Sequence, residues 1–289
     1  MKSFTVVICT YKRSFLIKEC LESVLRNSLL PNKIILIDQN YDYATYNKIV
    51  STCKNKKFKN YLIIRNLIKK GLTRSKNISL KQIKTKYVFF IDDDIILEKK
   101  YFQKNIKIMN KNKAHAVSGI ISNYENNFFK NIIYYFFNHN IFRDNRYFFI
   151  NYKKLNKNFI NKTFQVPGGI TCYDIDIFKK ISFDEKYITH NYEDVEFNIR
   201  LKKIIPKPKL FINTNALAYD KLSKNLKENF NSRVYFMTLL YLRNKSFKNL
   251  IFYILSFTGF LISCFFSSKI KNLQNLKNIF NKVVLKSNN

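Results

Sequence analysis

The 289-residue chain has no tryptophan, only five glycines and four prolines, and just 19 acidic residues against 52 lysines and arginines. Its five cysteines are odd in number and scattered, without a C-x-x-C pair, which argues against a disulfide framework and a structural zinc site. The first apolar run, residues 4–9, is too short for the core of a signal peptide. These absences favour a protein of a reducing, cytosolic compartment.

The basic excess gives a formal net charge of +33, which is typical of proteins that meet nucleic acid, an anionic membrane surface or acidic ligands. The excess is spread evenly along the chain, so a genome-wide codon bias explains it as well as an anionic partner does. No DNA- or RNA-reading motif is present, and we expect no specific nucleic-acid partner. With 46% hydrophobic residues, the chain can bury a full core.

The first third of the chain alternates short β-branched and aromatic runs with helical stretches, which predicts βαβ units and a mainly parallel central sheet flanked by helices. Strands are predicted over residues 4–9, 34–38, 61–65 and 87–91. Helices are predicted between the first two strands, where apolar residues recur at helical spacing from Ile17 to Leu25 and Pro31 would end the helix, over 44–54, and from Thr73 onward. Ligands of open α/β sheets bind beyond the carboxyl ends of the strands. We therefore expect one crevice to gather Thr10, Tyr11, Asp38 and the triplet Asp92, Asp93 and Asp94.

The later part of the chain is less regular. Residues 123–162 are rich in Phe, Tyr and Asn without a clean period, and their structure stays open, with an acceptor-side insertion as one interpretation. A further helix is predicted from Tyr192 to about Lys203. The apolar run 250–266 is at the lower edge of the roughly 17–25 residues that a membrane span needs.

Lysines flank both ends of that run, whereas a spanning helix usually concentrates its basic residues on the cytoplasmic side. This symmetry favours an in-plane or re-entrant segment over a span, and a buried helix or a dimer contact is the alternative. We predict a folded α/β domain over residues 1–220 and a basic, apolar helical tail over 221–289, associated with a membrane through 250–266.

The aspartate triplet closes a predicted buried strand. Adjacent carboxylates repel one another and are costly to desolvate, so the cluster indicates a divalent cation, Mg²⁺ or Mn²⁺. An acidic turn that caps the next helix is the alternative. A metal of this kind most often holds nucleotide phosphates. Cations near the same edge could then bind a diphosphate, and the candidates are Lys12, Arg13, Arg74 and Lys76.

A second acidic pair, Glu193 and Asp194, opens the late helix. Displacement of a diphosphate by a hydroxyl needs a base, and a carboxylate at a helix N-terminus stays ionised for that task. The alternative is that both acids only complement the helix dipole.

Taken in order, these residues resemble the family 2 glycosyltransferases, which have the GT-A nucleotide-sugar fold. The matching segments are residues 5–13 (TVVICTYKR), 34–38 (IILID), 71–77 (GLTRSKN, similar to G-L-T-x-A-R-N), 89–94 (FFIDDD, the D-x-D motif), the stretch from 168–169 to 183–185, and 192–201 (YEDVEFNIRL). The resemblance implies a GT-A catalytic domain and a metal-assisted, inverting transfer of a sugar.

The resemblance also implies a role for each matching residue. Asp94 would hold the metal and Asp194 would be the general base. Donor binding would fall to Thr10, Tyr11, Arg13, Asp38, Lys76, Asp92 and Asp93, and acceptor binding to Glu193, Gly168 and Gly169.

The chain departs from the family pattern in places. Many relatives have a histidine near Ala218, so either Asp220 substitutes for it or the metal is held more weakly. Lys76 stands where an arginine is usual, which keeps the charge but loses the bidentate fork. The three histidines, His115, His139 and His190, have no ligand spacing and are interpreted as structural.

The sequence thus predicts an inverting, hexosyltransferase-like enzyme that moves a sugar, expected to be carried by UDP, to a lipid-linked or surface-glycan acceptor. Polysaccharide synthesis at the inner face of a bacterial cell membrane fits its cationic, apolar tail. A sugar nucleotidyltransferase is one alternative, although residues 10–13 lack the glycine-rich phosphate loop expected of it. A non-enzymatic basic protein that binds membranes or nucleic acid is the other.

Overall fold

The computed structural model describes residues 3–68, 71–123, 132, 136–137, 160–163, 165–187, 191–222, 230–243 and 245–265. Within them the strands are β1 Phe4–Thr10, β2 Lys33–Asp38, β3 Tyr61–Arg65, β4 Tyr87–Asp92, β5 Ile95–Leu97, β6 Ala116–Ile121, β7 Ile160–Thr163, β8 Ile170–Asp174 and β9 Leu210–Asp220. The helices are α1 Ile17–Leu25, α2 Ala44–Asn55, α3 Leu72–Leu80, α4 Tyr101–Asn112, α5 Glu193–Ile204, α6 Phe230–Arg243 and α7 Phe247–Phe265, with a 3-10 helix at Ile175–Lys179.

The described strands form one mixed sheet in the order β3-β2-β1-β4-β8-β6-β9-β5, and β7 also pairs with β9. Its first four strands are parallel, as the alternating sequence pattern predicts. Beyond them β8 lies antiparallel to β4 and β6, and β9 runs parallel to β6. The α/β class is confirmed, and the antiparallel half is added by strands that the first third of the sequence does not contain.

The predicted elements of the first third agree closely with the observed ones. β1 and β4 each extend one residue past their predicted ends, to Thr10 and Asp92. The prediction that Pro31 ends the first helix is wrong, because α1 ends at Leu25 and Pro31 lies in the loop before β2. Strands β1, β2 and β4 are apolar without alternation because helices cover both faces of the sheet.

Two apolar cores lie on the two faces of the sheet. Alternate residues of β1 divide between them: Val6 and Ile8 pack with α1, α2 and α4, whereas Val7 packs with α5. In the second core the rings of Phe183 and Phe197 stack with centroids 4.6 Å apart. This contact fixes α5 against the sheet, so the N-terminus of α5 has a defined position next to the ends of the strands.

The tail helices form a third apolar cluster with α5. Tyr192, just before α5, stacks on Phe236 of α6 with ring centroids 5.1 Å apart, and α7 packs on α6 through Phe260. Within the described ranges, no helix is long and apolar enough to cross a membrane. Residue 266, the last of the predicted membrane segment, lies outside the described residues, and the boundary at residue 220 stays a prediction.

The structure describes the side chains of four cysteines and of one histidine. Cys9, Cys20, Cys53 and Cys172 are free thiols. His115 accepts a hydrogen bond at Nδ1 from the Lys209 N–H (2.9 Å), which is a structural contact. His139 and His190 lie outside the described residues.

Candidate active site

Three parallel strands end side by side at the carboxyl edge of the sheet. Thr10 of β1 is the Cα partner of Asp38 on β2, and Cys9 is the partner of Asp92 on β4. The strand ends therefore lie at one edge of the sheet, whereas a ligand crevice at this edge stays a prediction. Tyr11 follows directly and lies half-buried, with the Lys12 ammonium 5.3 Å from its ring centroid.

The aspartate triplet lies in the turn between β4 and β5, and Arg13 is its cationic partner. The Arg13 guanidinium donates to Asp93 Oδ1 (3.2 Å) and to Asp94 Oδ2 (2.8 Å). Burial raises the pKa of Asp93 to about 6. Burial and then the neighbouring Asp92 charge raise the pKa of Asp94 to about 7, although Arg13 opposes both. The turn is therefore an electrostatically crowded site that favours additional positive charge.

Asp220 is the acid that the fold adds to this turn. Its Cα pairs with Ile95 across β5 and β9, and the next residue, Lys221, donates its N–H to the Asp94 carbonyl (3.0 Å). The Asp220 charge contributes to the raised pKa of Asp94. Asp220 thus lies near the triplet, and its role as a metal ligand stays a prediction. Among the residues that the structure describes, no three His, Cys, Asp or Glu side chains are grouped to hold a metal ion.

Gly168 and Gly169, which precede β8, lie between the aspartate triplet and the acids of α5. The Asp92 N–H donates to the Gly169 carbonyl (2.9 Å), and the Asp92 carboxylate lies so close to Gly169 Cα that any side chain there would overlap it. A methyl group on Gly168 would lie 3.0 Å from Asp194 Cβ. The Gly168–Gly169 backbone therefore brings the acids of β4 and α5 close together.

Asp194 is held by backbone donors in the first turn of α5. Its Oδ2 accepts from the Gly168 N–H (2.9 Å) and its Oδ1 from the Val195 N–H (2.7 Å). Burial raises the pKa of Asp194, whereas Lys76 and these two hydrogen bonds lower it, and the net shift is upward. A carboxylate with a raised pKa is a stronger base than an exposed one, which suits a proton acceptor.

Lys76, which was predicted to bind the donor diphosphate, is buried and paired with an acid. It is 2% exposed, and its ammonium donates to Glu193 Oε1 at 3.0 Å, above the ring of Phe183. Arg74, two residues earlier on α3, pairs with Glu185 (3.0 Å). The sequence gives no indication of either ion pair, because nothing distinguishes these two basic residues from the other lysines and arginines among the 52.

Asp38 is fully buried, and its side chain closes a turn. Its Oδ1 accepts from the Asn40 N–H (3.0 Å) and from Asn40 Nδ2 (2.7 Å), which is a common role of aspartate in turns. Its Oδ2 lies 4.0 Å from Arg65 Nε without a hydrogen bond. Arg65 in turn stacks over the Tyr43 ring at 4.1 Å. Sequence reasoning missed Asn40, Arg65 and Tyr43, which carry no motif.

A family model described as "Glycosyl transferase family 2" matches residues 5–182, which include every strand of the parallel half and the aspartate triplet. The chain belongs to glycosyl transferase family 2. The expected family is therefore confirmed. No curated protein sequence gave a significant match to this glycosyltransferase.

Solved structures share the fold of this glycosyltransferase at low sequence identity. A mannosyltransferase, PcManGT from Pyrobaculum calidifontis, in complex with GDP-Man and Mn²⁺, is 9% identical, with 99% of this chain and 87% of that one covered and a TM-score of 0.60. Residues 1–349 of S. aureus TarS are 15% identical, with 99% and 80% covered and a TM-score of 0.57. These likenesses confirm the GT-A fold.

Two larger structures match only in part. GalNAc-T7 with UDP, GalNAc and Mn²⁺ is 12% identical, with 76% of this chain covered and a TM-score of 0.57. This family 2 glycosyltransferase spans 44% of that chain and 40% of the longer S. aureus TarS chain.

Proposed function

We propose that this glycosyltransferase moves a sugar from a nucleotide-diphospho-sugar, expected to be a UDP-sugar, to a hydroxyl of a lipid-linked or surface-glycan acceptor, with inversion at the anomeric carbon. The observation that carries the proposal is that Asp92 contacts Gly169 and Asp194 contacts Gly168, so that the two acids lie beside adjacent residues of one backbone segment. Asp92 lies at the carboxyl edge of the sheet, where a nucleotide donor would bind. Asp194 lies in the first turn of α5, where it would face the acceptor.

The donor side would be formed by the ends of the parallel strands. Thr10, Tyr11 and Asp38 line the edge where the nucleoside would lie, and Asp92 and Asp93 would contact its ribose and sugar. Arg13 is 42% exposed and would reach the diphosphate. The structures of PcManGT with GDP-Man, of GalNAc-T7 with UDP and of TarS with UDP support a nucleotide ligand at this fold.

The residues at the triplet fit a Mn²⁺ or Mg²⁺ ion by their chemistry. Asp94 would hold it, with Asp220 as a second carboxylate, and the crowding that raises the pKa of Asp94 to about 7 would be relieved by a cation. Mg²⁺ commonly takes one or two protein carboxylates and completes its shell with substrate phosphates and water, so no three-acid cage is needed. When bound, the ion supplies positive charge that stabilises the departing diphosphate.

Asp194 would act on the acceptor. As the acceptor oxygen bonds to the anomeric carbon, the bond from that carbon to the diphosphate oxygen breaks, and the diphosphate leaves with the electron pair. The hydroxyl proton passes to Asp194, whose two oxygens are fixed by the N–H groups of Gly168 and Val195. A single displacement of this kind inverts the anomeric centre. Glu193, beside it, would contact the acceptor.

Product analysis tests the function and separates it from its rivals. Incubated with Mn²⁺ and UDP-sugars or GDP-mannose, the enzyme is expected to release a nucleoside diphosphate, detected by ³¹P NMR, and to lose this activity on addition of EDTA. Release of pyrophosphate from UTP and a sugar 1-phosphate, without turnover of any nucleotide-sugar, would instead indicate a nucleotidyltransferase. A protein that turns over no donor and binds DNA in a salt-sensitive manner would refute the proposal in favour of a basic binding protein.

Helix α7 supports association with an anionic membrane surface at the inner face of the cell membrane. Phe247 is 79% exposed and Ile254 is 53% exposed, and Lys245 and Lys248 lie at the start of the helix. Apolar side chains next to lysines suit a helix that lies in the interface plane.

We expect Lys245→Ala with Lys248→Ala to weaken binding to phosphatidylglycerol vesicles by about 30-fold, since each lysine near an anionic surface contributes about 1 kcal/mol. The measurement is cosedimentation with vesicles. Lys111→Ala with Lys113→Ala at the end of α4 removes the same charge and is the control. Equal losses in both double variants would show that α7 has no special role.

A further inference from the structure

The buried lysine on α3 is the feature that the proposed mechanism leaves unused. Lys76 is 2% exposed in a chain whose lysines otherwise lie mostly at the surface. A buried ammonium is costly unless acids compensate it. Burial lowers the pKa of Lys76, but the charges of Glu193 and Asp92 outweigh burial, and the net shift is upward. Lys76 is therefore a permanent cation inside the site.

The geometry places this cation between the donor-side and acceptor-side acids. A methyl group on Gly168 would lie 3.1 Å from Lys76 Nζ, 3.1 Å from Glu193 Oε1 and 3.0 Å from Asp194 Cβ, so all three groups surround one point. The Asp92 carboxylate packs against the next residue, Gly169. Because Gly168 has no side chain, the Lys76 ammonium and the side chains of Glu193 and Asp194 can share the space beside it.

Other ionisable groups that face Asp194 do not supply positive charge. Asp92 on β4 and Glu193 on α5 are acids. Tyr173 on β8 is buried, which raises the pKa of its phenol well above 10, and burial raises the pKa of the Cys9 thiol on β1 to about 12, so both are neutral at physiological pH. Among the charges that act on Asp194, Lys76 opposes the effect of burial most strongly.

We propose that Lys76 is a positioning residue for the base: its ammonium fixes the Glu193 carboxylate and keeps Asp194 ionised in a closed site. The proposal rests on the proposed function, in which Asp194 takes the acceptor proton. It assigns Lys76 to the acceptor half of the reaction, through Glu193 and Asp194, instead of to the donor diphosphate. The lysine also lies beside Asp92, so the same cation serves the acids of both halves.

The test is the pH dependence of donor turnover, with water or an added acceptor and Mn²⁺ present. An opposite charge within a few ångströms shifts a carboxyl pKa by about 1–3 units. In Lys76→Met with Glu193→Gln, which removes both charges of the buried pair, we expect the acid limb of the kcat/KM profile to lie about one unit or more above its position in Glu193→Gln alone, because these two variants differ only in the lysine charge. Glu193→Gln alone should move the limb to lower pH, because Lys76 then acts on Asp194 without a competing acid.

Two further variants separate charge from packing. Lys76→Arg keeps the positive charge and should leave the acid limb within a few tenths of a pH unit of the wild-type position. Lys81→Met, at the exposed C-terminal end of α3, removes a lysine from the same helix and should shift nothing. Circular dichroism and thermal unfolding check that each variant is folded.

The outcomes distinguish a failure of this inference from a failure of the proposed function. If the wild-type enzyme turns over no nucleotide-sugar, the proposed function fails. If the wild type is active and depends on Asp194, but the acid limb of the folded double variant coincides with that of Glu193→Gln, the role of Lys76 is refuted. A limb at higher pH in the double variant than in Glu193→Gln is the result that we expect.

Discussion

Asp194→Asn is expected to lower the rate of sugar transfer by about 10²–10⁴-fold, the usual contribution of a positioned general base. The amide cannot take the acceptor proton, yet it keeps the size of the side chain and can still accept one backbone hydrogen bond. The expected loss is therefore in kcat. Release of nucleoside diphosphate, measured with saturating donor, gives the rate.

Asp176→Asn is the matched control for this variant. Asp176 lies on the 3-10 helix after β8, where its carboxylate pairs with Lys86 and Lys179. The same chemical change there should leave the rate within about twofold, since surface ion pairs contribute little. An Asp194→Asn enzyme as active as this control would mean that another group removes the proton.

Gly169→Ala is expected to cause the second large effect, a loss of about 1–3 kcal/mol in the free energy of unfolding together with a fall of about 100-fold in turnover. The added methyl group would occupy the space of the Asp92 carboxylate, so either Asp92 or the start of β8 must move. Urea unfolding and the diphosphate-release assay measure the two effects.

Gly168→Ala provides the graded comparison. Its methyl group would meet atoms at 3.0–3.1 Å, and two of these are the ends of the flexible Lys76 and Glu193 side chains, which can yield. A smaller loss of stability is expected there. If Gly169→Ala is as stable and as active as the wild type, Asp92 does not need its observed position, and the donor side of the site is wrongly assigned.

The position of the site residues at the carboxyl edge of the sheet was predictable from the sequence, because local sequence patterns determine the parallel strands. Short runs of β-branched and aromatic residues gave the four parallel strands, and parallel strands place their carboxyl ends together. Asp92, Asp93 and Asp94 follow one of those runs directly. Their location needed no knowledge of long-range contacts, and the family resemblance supplied their order along the chain.

The partners of the site residues could not be predicted in the same way. Lys76 and Glu193 are 117 positions apart, and their contact depends on how α5 packs against the sheet through Phe183 and Phe197. The side chain of Asp38 points to Asn40 because of a local turn whose conformation the sequence left open. Asp220 reaches the triplet only because β9 pairs antiparallel with β5, a pairing that no local pattern indicates.

The central claim is that the aspartate triplet binds the donor and its metal, whereas Asp194 is the base that acts on the acceptor. Donor binding, measured together with turnover, tests this claim most directly. Isothermal titration of a nucleotide-sugar with Mn²⁺ is expected to give wild-type affinity for Asp194→Asn, whose turnover is lost, and weakened, metal-independent binding for Asp94→Asn. Loss of donor affinity in Asp194→Asn, or full turnover in either variant, would contradict a site with its donor and metal at Asp92 to Asp94 and its base at Asp194.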